Sequence, residues 1–332
     1  MNARRRKQLI YTRKSRADET ARGNRLTATI PVKTRRFCGD MFGCVVVGVG
    51  MAGRVRIRDL LTPLPSGAAE IFTLKGMVSR RTLEQQQGVQ QIPLEEALSR
   101  SDIQVALLCT ENVSHEEYVS RFLEAGKHVC VEYPMALSYS AAAKLLDQAQ
   151  QKGLVLHEEH IELLTPDFKQ LKKDIAGKQL EEGSLHFTGG PLKSGFGFLS
   201  FSGIARLTWL VDLFGELSVK EASMVEEPER KRTKMTVHLL TEDQKPLTWT
   251  EERAEGLSRG KRIHLRFTTC TLTELPSGVQ EPVGIFMQDL VLFGSKLQGT
   301  VPPEQLQAER NRILHCFKLA EDIRKHCQDN TK

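Results

Sequence analysis

Residues 44–60 read C-V-V-V-G-V-G-M-A-G-R-V-R-I-R-D-L, and this stretch decides the fold. Cys44 to Val47 form a β-branched apolar run too short for a helix, and so a buried strand. Gly48, Gly50 and Gly53 then stand as G-x-G-x-x-G, and Val55, Ile57 and Leu60 open a helical pattern. Each glycine has a separate reason to be there. The first turns the chain tightly off the strand, the second lets backbone approach a pyrophosphate, and the third brings helix and sheet close. The N–H groups at the start of that helix then face the anion. A strand before the glycines and a helix after them make this common pattern a dinucleotide site.

At 332 residues the chain has length for two domains, each with its own core. A hydrophobic fraction of 40% and a charged fraction of 27% describe an ordinary globular protein. Its uninterrupted apolar stretches are too short to cross a bilayer, so no membrane partner is expected. Seven scattered cysteines argue for free thiols in a reducing cytosol. The net charge of +6 is uneven, because residues 1–40 hold twelve Lys or Arg against three acids, leaving the rest at about −3. The body therefore has no basic face for nucleic acid. Residues 1–40 read as a solvated, disordered extension. Their Arg-rich, acid-poor composition also fits a mitochondrial transit peptide, and Met41 would make a sufficient start.

Residues 71–78 read as the second strand and end in Ser79-Arg80-Arg81, where a carboxylate ordinarily grips the adenosine ribose. Two arginines and a serine suit a 2′-phosphate instead, so NADPH is expected, with NADH left open. The bland alternative is an exposed basic turn. Residues 105–109 make another buried strand, followed at its carboxyl end by Thr110-Glu111-Asn112-Val113-Ser114-His115. A strand and turn at 128–135, a helix at 141–149 and a strand at 154–156 complete the nucleotide domain. His157-Glu158-Glu159-His160 has its histidines three apart rather than the four of H-E-x-x-H, so a domain junction is the reading.

Beyond residue 180 the period changes to two. Strands are expected at 184–188, 217–225, 235–240, 246–251, 262–271 and 285–293, in a sheet with one covered face. A helix at 204–214 carries Arg206, Trp209 and Asp212, and a long amphipathic helix at 303–327 packs back on the body. The expected fold class is α/β plus α+β: a Rossmann domain with a parallel sheet, then an open antiparallel sheet of about six strands. The expected divisions are the extension 1–40, the nucleotide domain 41–165, the substrate domain 166–300 and the terminal helix 301–332.

With T-E-N-V-S-H and A-G-K-H-V-C-V-E-Y-P-M-A-L-S beside the glycine turn, the chain resembles the glucose-fructose oxidoreductase / inositol dehydrogenase superfamily. Sugar-oxidising members carry E-K-P where this chain has Glu132-Tyr133-Pro134. A phenol cannot supply the lysine's charge-assisted contact. The segments V-S-R-R, V-L-H-E-E-H, R-I-L-H-C and above all S-G-I-A-R-L-T-W-L-V-D-L-F-G-E-L-S resemble the biliverdin reductase family, over about residues 42–327. That resemblance implies reduction of biliverdin IXα to bilirubin by hydride transfer to the C10 methine carbon, in haem catabolism. It implies phosphate contacts at Gly48, Val49, Gly50, Met51, Ala52 and Gly53, and adenosine-end contacts at Ser79, Arg80 and Arg81. Asn112, Val113, Ser114, His115 and Tyr133 would flank the nicotinamide, facing the exposed side of the second sheet.

The catalytic pair implied is Arg206 and Tyr133. A guanidinium keeps its proton, so Arg206 would act electrostatically on a propionate or lactam oxygen, with water delivering the proton. The alternative is that Arg206 only caps a carboxylate such as Asp212. Tyr133 would position rather than protonate. Relatives carry a zinc-associated signature near the C-terminus, which here becomes His315-Cys316 and His326-Cys327, so His315, Cys316 and Cys327 are the candidate zinc ligands. Residues eleven apart on a straight helix lie about 16 Å apart, too far for one tetrahedral ion. A monomer acting on a linear tetrapyrrole is expected. A polyol dehydrogenase of the same superfamily and a non-catalytic cofactor sensor are the alternatives.

Overall fold

The computed structural model describes residues 41–64, 66–83 and 87–329, so the reading of the basic extension lies outside the described residues. The first half runs β1 (Phe42–Val47), α1 (Met51–Leu61), β2 (Phe72–Val78), α2 (Leu94–Ser99), β3 (Val105–Leu108), α3 (His115–Glu124), β4 (His128–Val131), α4 (Tyr139–Gln151) and β5 (Leu156–Glu158). All five strands are parallel, in the order β2-β1-β3-β4-β5. β1 is buried throughout and serves two cores. Val45 and Val47 point into one, while Phe42, Cys44 and Val46 point into the other. A strand covered on both faces needs an unbroken apolar run, which is why it was legible.

The last strand differs from expectation. β5 does not stop at Leu156 but takes in His157 and Glu158, both buried. Polar residues can occupy a covered strand here because partners elsewhere in the chain meet them, as described below.

The second half runs α5 (Pro166–Ile175), β6 (Leu180–Gly189), α6 (Leu199–Ser202), α7 (Ile204–Phe214), β7 (Leu217–Glu227), β8 (Arg232–Thr241), β9 (Pro246–Ala254), β10 (Gly260–Phe267), β11 (Thr271–Leu272), α8 (Ile285–Leu297) and α9 (Pro303–Asp329). Its six-stranded sheet has the order β11-β10-β6-β9-β8-β7. Every pairing is antiparallel except the central one, because β6 and β9 run parallel. The period of two holds: Met235, Val237 and Leu239 are buried with Leu247, Trp249, Ile263 and Leu265, while His238, Arg262 and His264 are exposed.

Residues 285–293 are not a strand. They open α8, whose buried residues Met287, Leu290, Phe293 and Leu297 recur at helical spacing and pack on the Ile57, Phe72 and Met77 side of the nucleotide sheet. α9 packs against β7, α7, α4 and α6. Among the described residues no helix is long and apolar enough to cross a membrane.

Candidate active site

The glycine turn has the geometry its sequence requires. Gly48 has φ +89°, and a Cβ there would lie 2.6 Å from Cys109 O. A Cβ at Gly53 would lie 2.0 Å from Gly48 O, so helix and turn touch through backbone alone. At Gly50 a Cβ would meet nothing within 4 Å, which leaves open space against the backbone. α1 begins at Met51, which is 88% exposed, with no side-chain cap and no acid in its first turn. Val49 is buried and Ala52 half-buried. A pyrophosphate fits this cradle: uncapped N–H groups, an approachable backbone and the positive end of a helix.

The basic loop lies over the same turn. Arg81 Nη2 reaches Val49 O at 3.4 Å, and Arg81 N–H donates to Ser79 Oγ at 3.1 Å. Gln91 straps the loop, donating to Ser79 O at 3.0 Å and Arg81 O at 2.9 Å and accepting from Leu83 N–H at 2.9 Å. Nothing in the sequence marks Gln91, because its role exists only once the loop has folded back.

In the Asn112–His115 segment, side chains and backbone divide the work. Asn112 Nδ2 donates to Phe196 O at 2.9 Å, and Val113 N–H to Gly195 O at 3.1 Å. Ser114 N–H donates to Glu111 O at 2.9 Å. His115 is buried with Nδ1 2.8 Å from Pro134 O and Nε2 3.1 Å from Thr110 O. Both ring nitrogens are thus occupied, and His115 joins the turn after β3 to the turn that carries Tyr133. Burial pushes its pKa below the ordinary histidine value, against the pull of the two carbonyls, and the neutral ring donates to one of them. The imidazole braces the two turns against each other.

Arg206, on α7, is only 4% exposed and lies 3.6 Å from the centroid of the Phe187 ring. Phe187 stands on the covered face of the six-stranded sheet, so Arg206 belongs to that face, opposite the exposed side that the nicotinamide is expected to face. Glu162 Oε1 and Glu251 Oε2 each lie 3.6 Å from it, beyond good hydrogen-bond length. Among the described residues its Nε and Nη1 make no hydrogen bond. Asp212 itself is taken by Lys172 at 2.6 Å and Arg312 at 3.1 Å, so the internal carboxylates beside Arg206 are Glu162 and Glu251 instead.

Three more cations surround Arg206. Arg253 meets Glu251 at 2.5 Å, Arg259 meets Glu162 at 3.0 Å, and Lys261 meets Glu162 at 2.6 Å. Burial alone would raise Glu162, yet Lys261, Arg206 and Arg259 hold it below the ordinary glutamate value. Four cations thus face two carboxylates. Burial pushes the Tyr133 phenol up to about 12, against the pull of Arg206, so it stays protonated at neutral pH and can donate a hydrogen bond. Sequence reasoning missed Glu162, Glu251, Arg253, Arg259 and Lys261. One signal was available: Glu251 shares the face of Leu247 and Trp249, where period two calls for apolar residues.

Behind the site runs a buried ionic chain that sequence reasoning also missed. Arg56 of α1 reaches Glu132 at 3.2 Å, Phe286 O at 3.0 Å and Asp289 at 2.8 Å. Asp289 accepts from His157 Nε2 at 3.0 Å, Lys296 Nζ donates to His157 Nδ1 at 2.7 Å, and Lys296 meets Glu309 at 2.6 Å. Burial pushes Glu159 well above the ordinary glutamate value, with Glu132 beside it adding to the rise and Arg56 opposing it. Cys130, His157 and Asp289 bring three ligand atoms within 4.8 Å of one another. Lys296 and Arg56 already supply the positive charge there, and the His157 lone pair is spent on Lys296.

The tail residues do not form one site. His315, Cys316 and Cys327 lie on the single helix α9. His315 Nε2 accepts from Leu217 N–H at 3.0 Å. Burial pushes Cys316 up to about 12 and Cys327 up to about 11, so both are thiols at neutral pH. Eleven residues at 1.5 Å rise separate the two thiols by about 16 Å.

A parallel sheet with a glycine cradle and a basic loop at the strand ends, joined to a sheet that buries a cation cluster, defines the class: an NAD(P)H-dependent oxidoreductase. Residues 42–160 match the family described as an oxidoreductase family with an NAD-binding Rossmann fold, and residues 168–279 match biliverdin reductase, catalytic. Biliverdin reductase A of Homo sapiens is 53% identical over 288 residues, spanning 86% of this chain and 96% of the relative. The Mus musculus protein gives the same identity and coverage. A biliverdin reductase from Synechocystis sp. PCC 6803, solved in complex with biliverdin and NADP+, has the same fold, with TM-score 0.68 and 19% identity over 86% of this chain and 99% of that one. The chain belongs to the biliverdin reductase A family.

Proposed function

We infer that this chain reduces biliverdin with NADPH, delivering hydride to the C10 methine carbon of the IXα isomer to give bilirubin. The observation that carries the reading is Arg206: a buried guanidinium with two uncommitted donors, set among cations, in a chain 53% identical to a biliverdin reductase. The bound cofactor would supply the hydride. Its pyrophosphate would be held by the Gly48–Gly53 cradle and its 2′-phosphate by Ser79, Arg80 and Arg81. Asn112, Val113 and Ser114 shape the turn beside the nicotinamide half, and His115 holds that turn to Tyr133.

Arg206 then has an electrostatic task. Its Nε and Nη1 would donate to a propionate or lactam oxygen, and its charge would stabilise the negative charge that hydride brings to the bilin until the pyrrolic nitrogen is protonated. Water brings that proton. Arg259 and Lys261 would draw the propionates of the tetrapyrrole to the same corner. Tyr133, held as a phenol by burial, donates a hydrogen bond that orients the substrate. This reading uses no metal. The same proposal places the enzyme in the cytosol, where seven scattered cysteines stay reduced, and takes it to act as a monomer.

The test is loss of biliverdin absorbance with NADPH near neutral pH, repeated with NADH. Arg206→Ala is expected to lower kcat by about 10²–10³, the cost of removing one preorganised donor. Tyr133→Phe is expected to cost less than the 10²–10⁴ of a lost general acid. A purified chain that binds NADPH and leaves the pigment green contradicts the reading and returns the cofactor-sensor alternative.

A further inference from the structure

The nucleotide reading leaves one ion pair without a task. Arg80 Nη2 lies 3.2 Å from Glu111 Oε2. The two residues follow different strands, Arg80 at the end of β2 and Glu111 just after β3. β1 lies between those strands, so the pair spans the strand end from which the glycine turn departs. Arg81 beside it is held to the same turn through Val49 O. Both arginines of the basic loop are thus kept over the cradle by the folded chain.

The turn that carries Glu111 is braced. It is tied to the 195–196 backbone by the hydrogen bonds of Asn112 and Val113. Gly195, at φ +92°, runs alongside, and a Cβ there would lie at ordinary contact distance, 3.5 Å, from Glu111 Oε2. A carboxylate at the rim of a site for a polyphosphate repels its ligand, so its presence calls for an account. A phosphate dianion offers Arg80 a more highly charged partner than a carboxylate does.

We propose that Glu111 is an intramolecular competitor for Arg80, a latch that weakens capture of the 2′-phosphate and so sets how sharply the protein separates phosphorylated from unphosphorylated cofactor. The proposal rests on the nucleotide reading. A ligand with a 2′-phosphate must break the Arg80–Glu111 pair. One without it leaves the pair intact. Only the first bears the cost, and that cost is modest, because Arg80 and Glu111 side chains are 76% and 49% exposed and solvent screens them.

Calorimetric titration of the full chain with 2′,5′-ADP and with 5′-AMP reads this directly, without turnover. Glu111→Gln is expected to tighten 2′,5′-ADP about three- to fivefold, the reach of an exposed ion pair, and to tighten 5′-AMP by much less. Arg80→Ala is expected to narrow the gap between the two ligands, and Glu111→Gln added to Arg80→Ala should then leave their ratio unchanged. Equal tightening of both ligands, no tightening, or a ratio change that persists without Arg80 overturns the latch. A wild-type chain that binds neither ligand overturns the nucleotide reading and the latch with it. Wild-type discrimination with a silent Glu111→Gln removes the latch alone.

Discussion

At Glu158 the fold keeps neutral a carboxyl that water would ionise. Its Oε1 accepts Met135 N–H at 2.9 Å, and its Oε2 lies 3.7 Å from His160 Nε2. Burial pushes its pKa from 4.5 up to about 8, with Glu309 adding to the rise, while the Met135 hydrogen bond and Arg312 oppose it. His160 beside it is pushed by burial down to about 3, so at neutral pH the two meet as uncharged groups. The folded pKa of Glu158 lies above the unfolded one, so its contribution to stability is whole in acid. That contribution falls as pH climbs from about 4.5 and is gone above about 8. The slope is about 1.4 kcal/mol per pH unit for one such group. Glu158→Gln keeps the acceptor for Met135 and cannot ionise. Urea unfolding across about pH 5 to 8 should therefore show a shallower decline for the variant than for the parent. Parallel declines would sink the assignment.

Helix α8 shows what an element's own sequence can and cannot disclose. Residues 285–293, I-F-M-Q-D-L-V-L-F, are dense enough in apolar side chains to satisfy a period of two as readily as one near 3.6. Its spacing Met287, Leu290, Phe293, Leu297 was present, but only the surface it covers chooses between them. Gly294 passes so close to Ile71 that a Cβ would lie 2.6 Å from its Cδ1. The glycine turn was legible because its reasons are local: a positive φ, a close approach and a helix start within six residues. The Arg56 chain was not, since Arg56 finds Glu132 76 positions away and Phe286 230 positions away. Charged residues with partners so far along the chain proved to be buried and paired. Removing one partner strands the rest, so Asp289→Ala is expected to cost about 3–5 kcal/mol in denaturant unfolding, and Lys296→Met a similar amount. Because both belong to one network, the double variant should fall short of the sum. Strict additivity would mean that the two ends do not communicate.

Over the whole molecule the two sheets share a core. One continuous cluster runs from Val45 and Val131 of the nucleotide sheet through Leu145 and Phe317 to Trp249 of the second sheet. Neither sheet can open without exposing apolar surface of the other, so ligand held at one should stabilise both. Both tryptophans, Trp209 and Trp249, lie in the second half and report on it alone, whereas far-ultraviolet circular dichroism sees every helix and strand. NADPH at about a hundredfold excess over its dissociation constant stabilises the folded state by about 2.7 kcal/mol. For a chain of this size that is a rise of about 5 °C in the unfolding midpoint. The expectation is one midpoint by both probes, moved upward by NADPH to the same extent in each. If the tryptophan midpoint stays fixed while the dichroism transition splits, the sheets unfold independently and the shared core does not couple them. If both midpoints rise together, the nucleotide cradle and the Arg206 corner belong to one cooperative unit, and substitutions in either will be felt in the stability of the other.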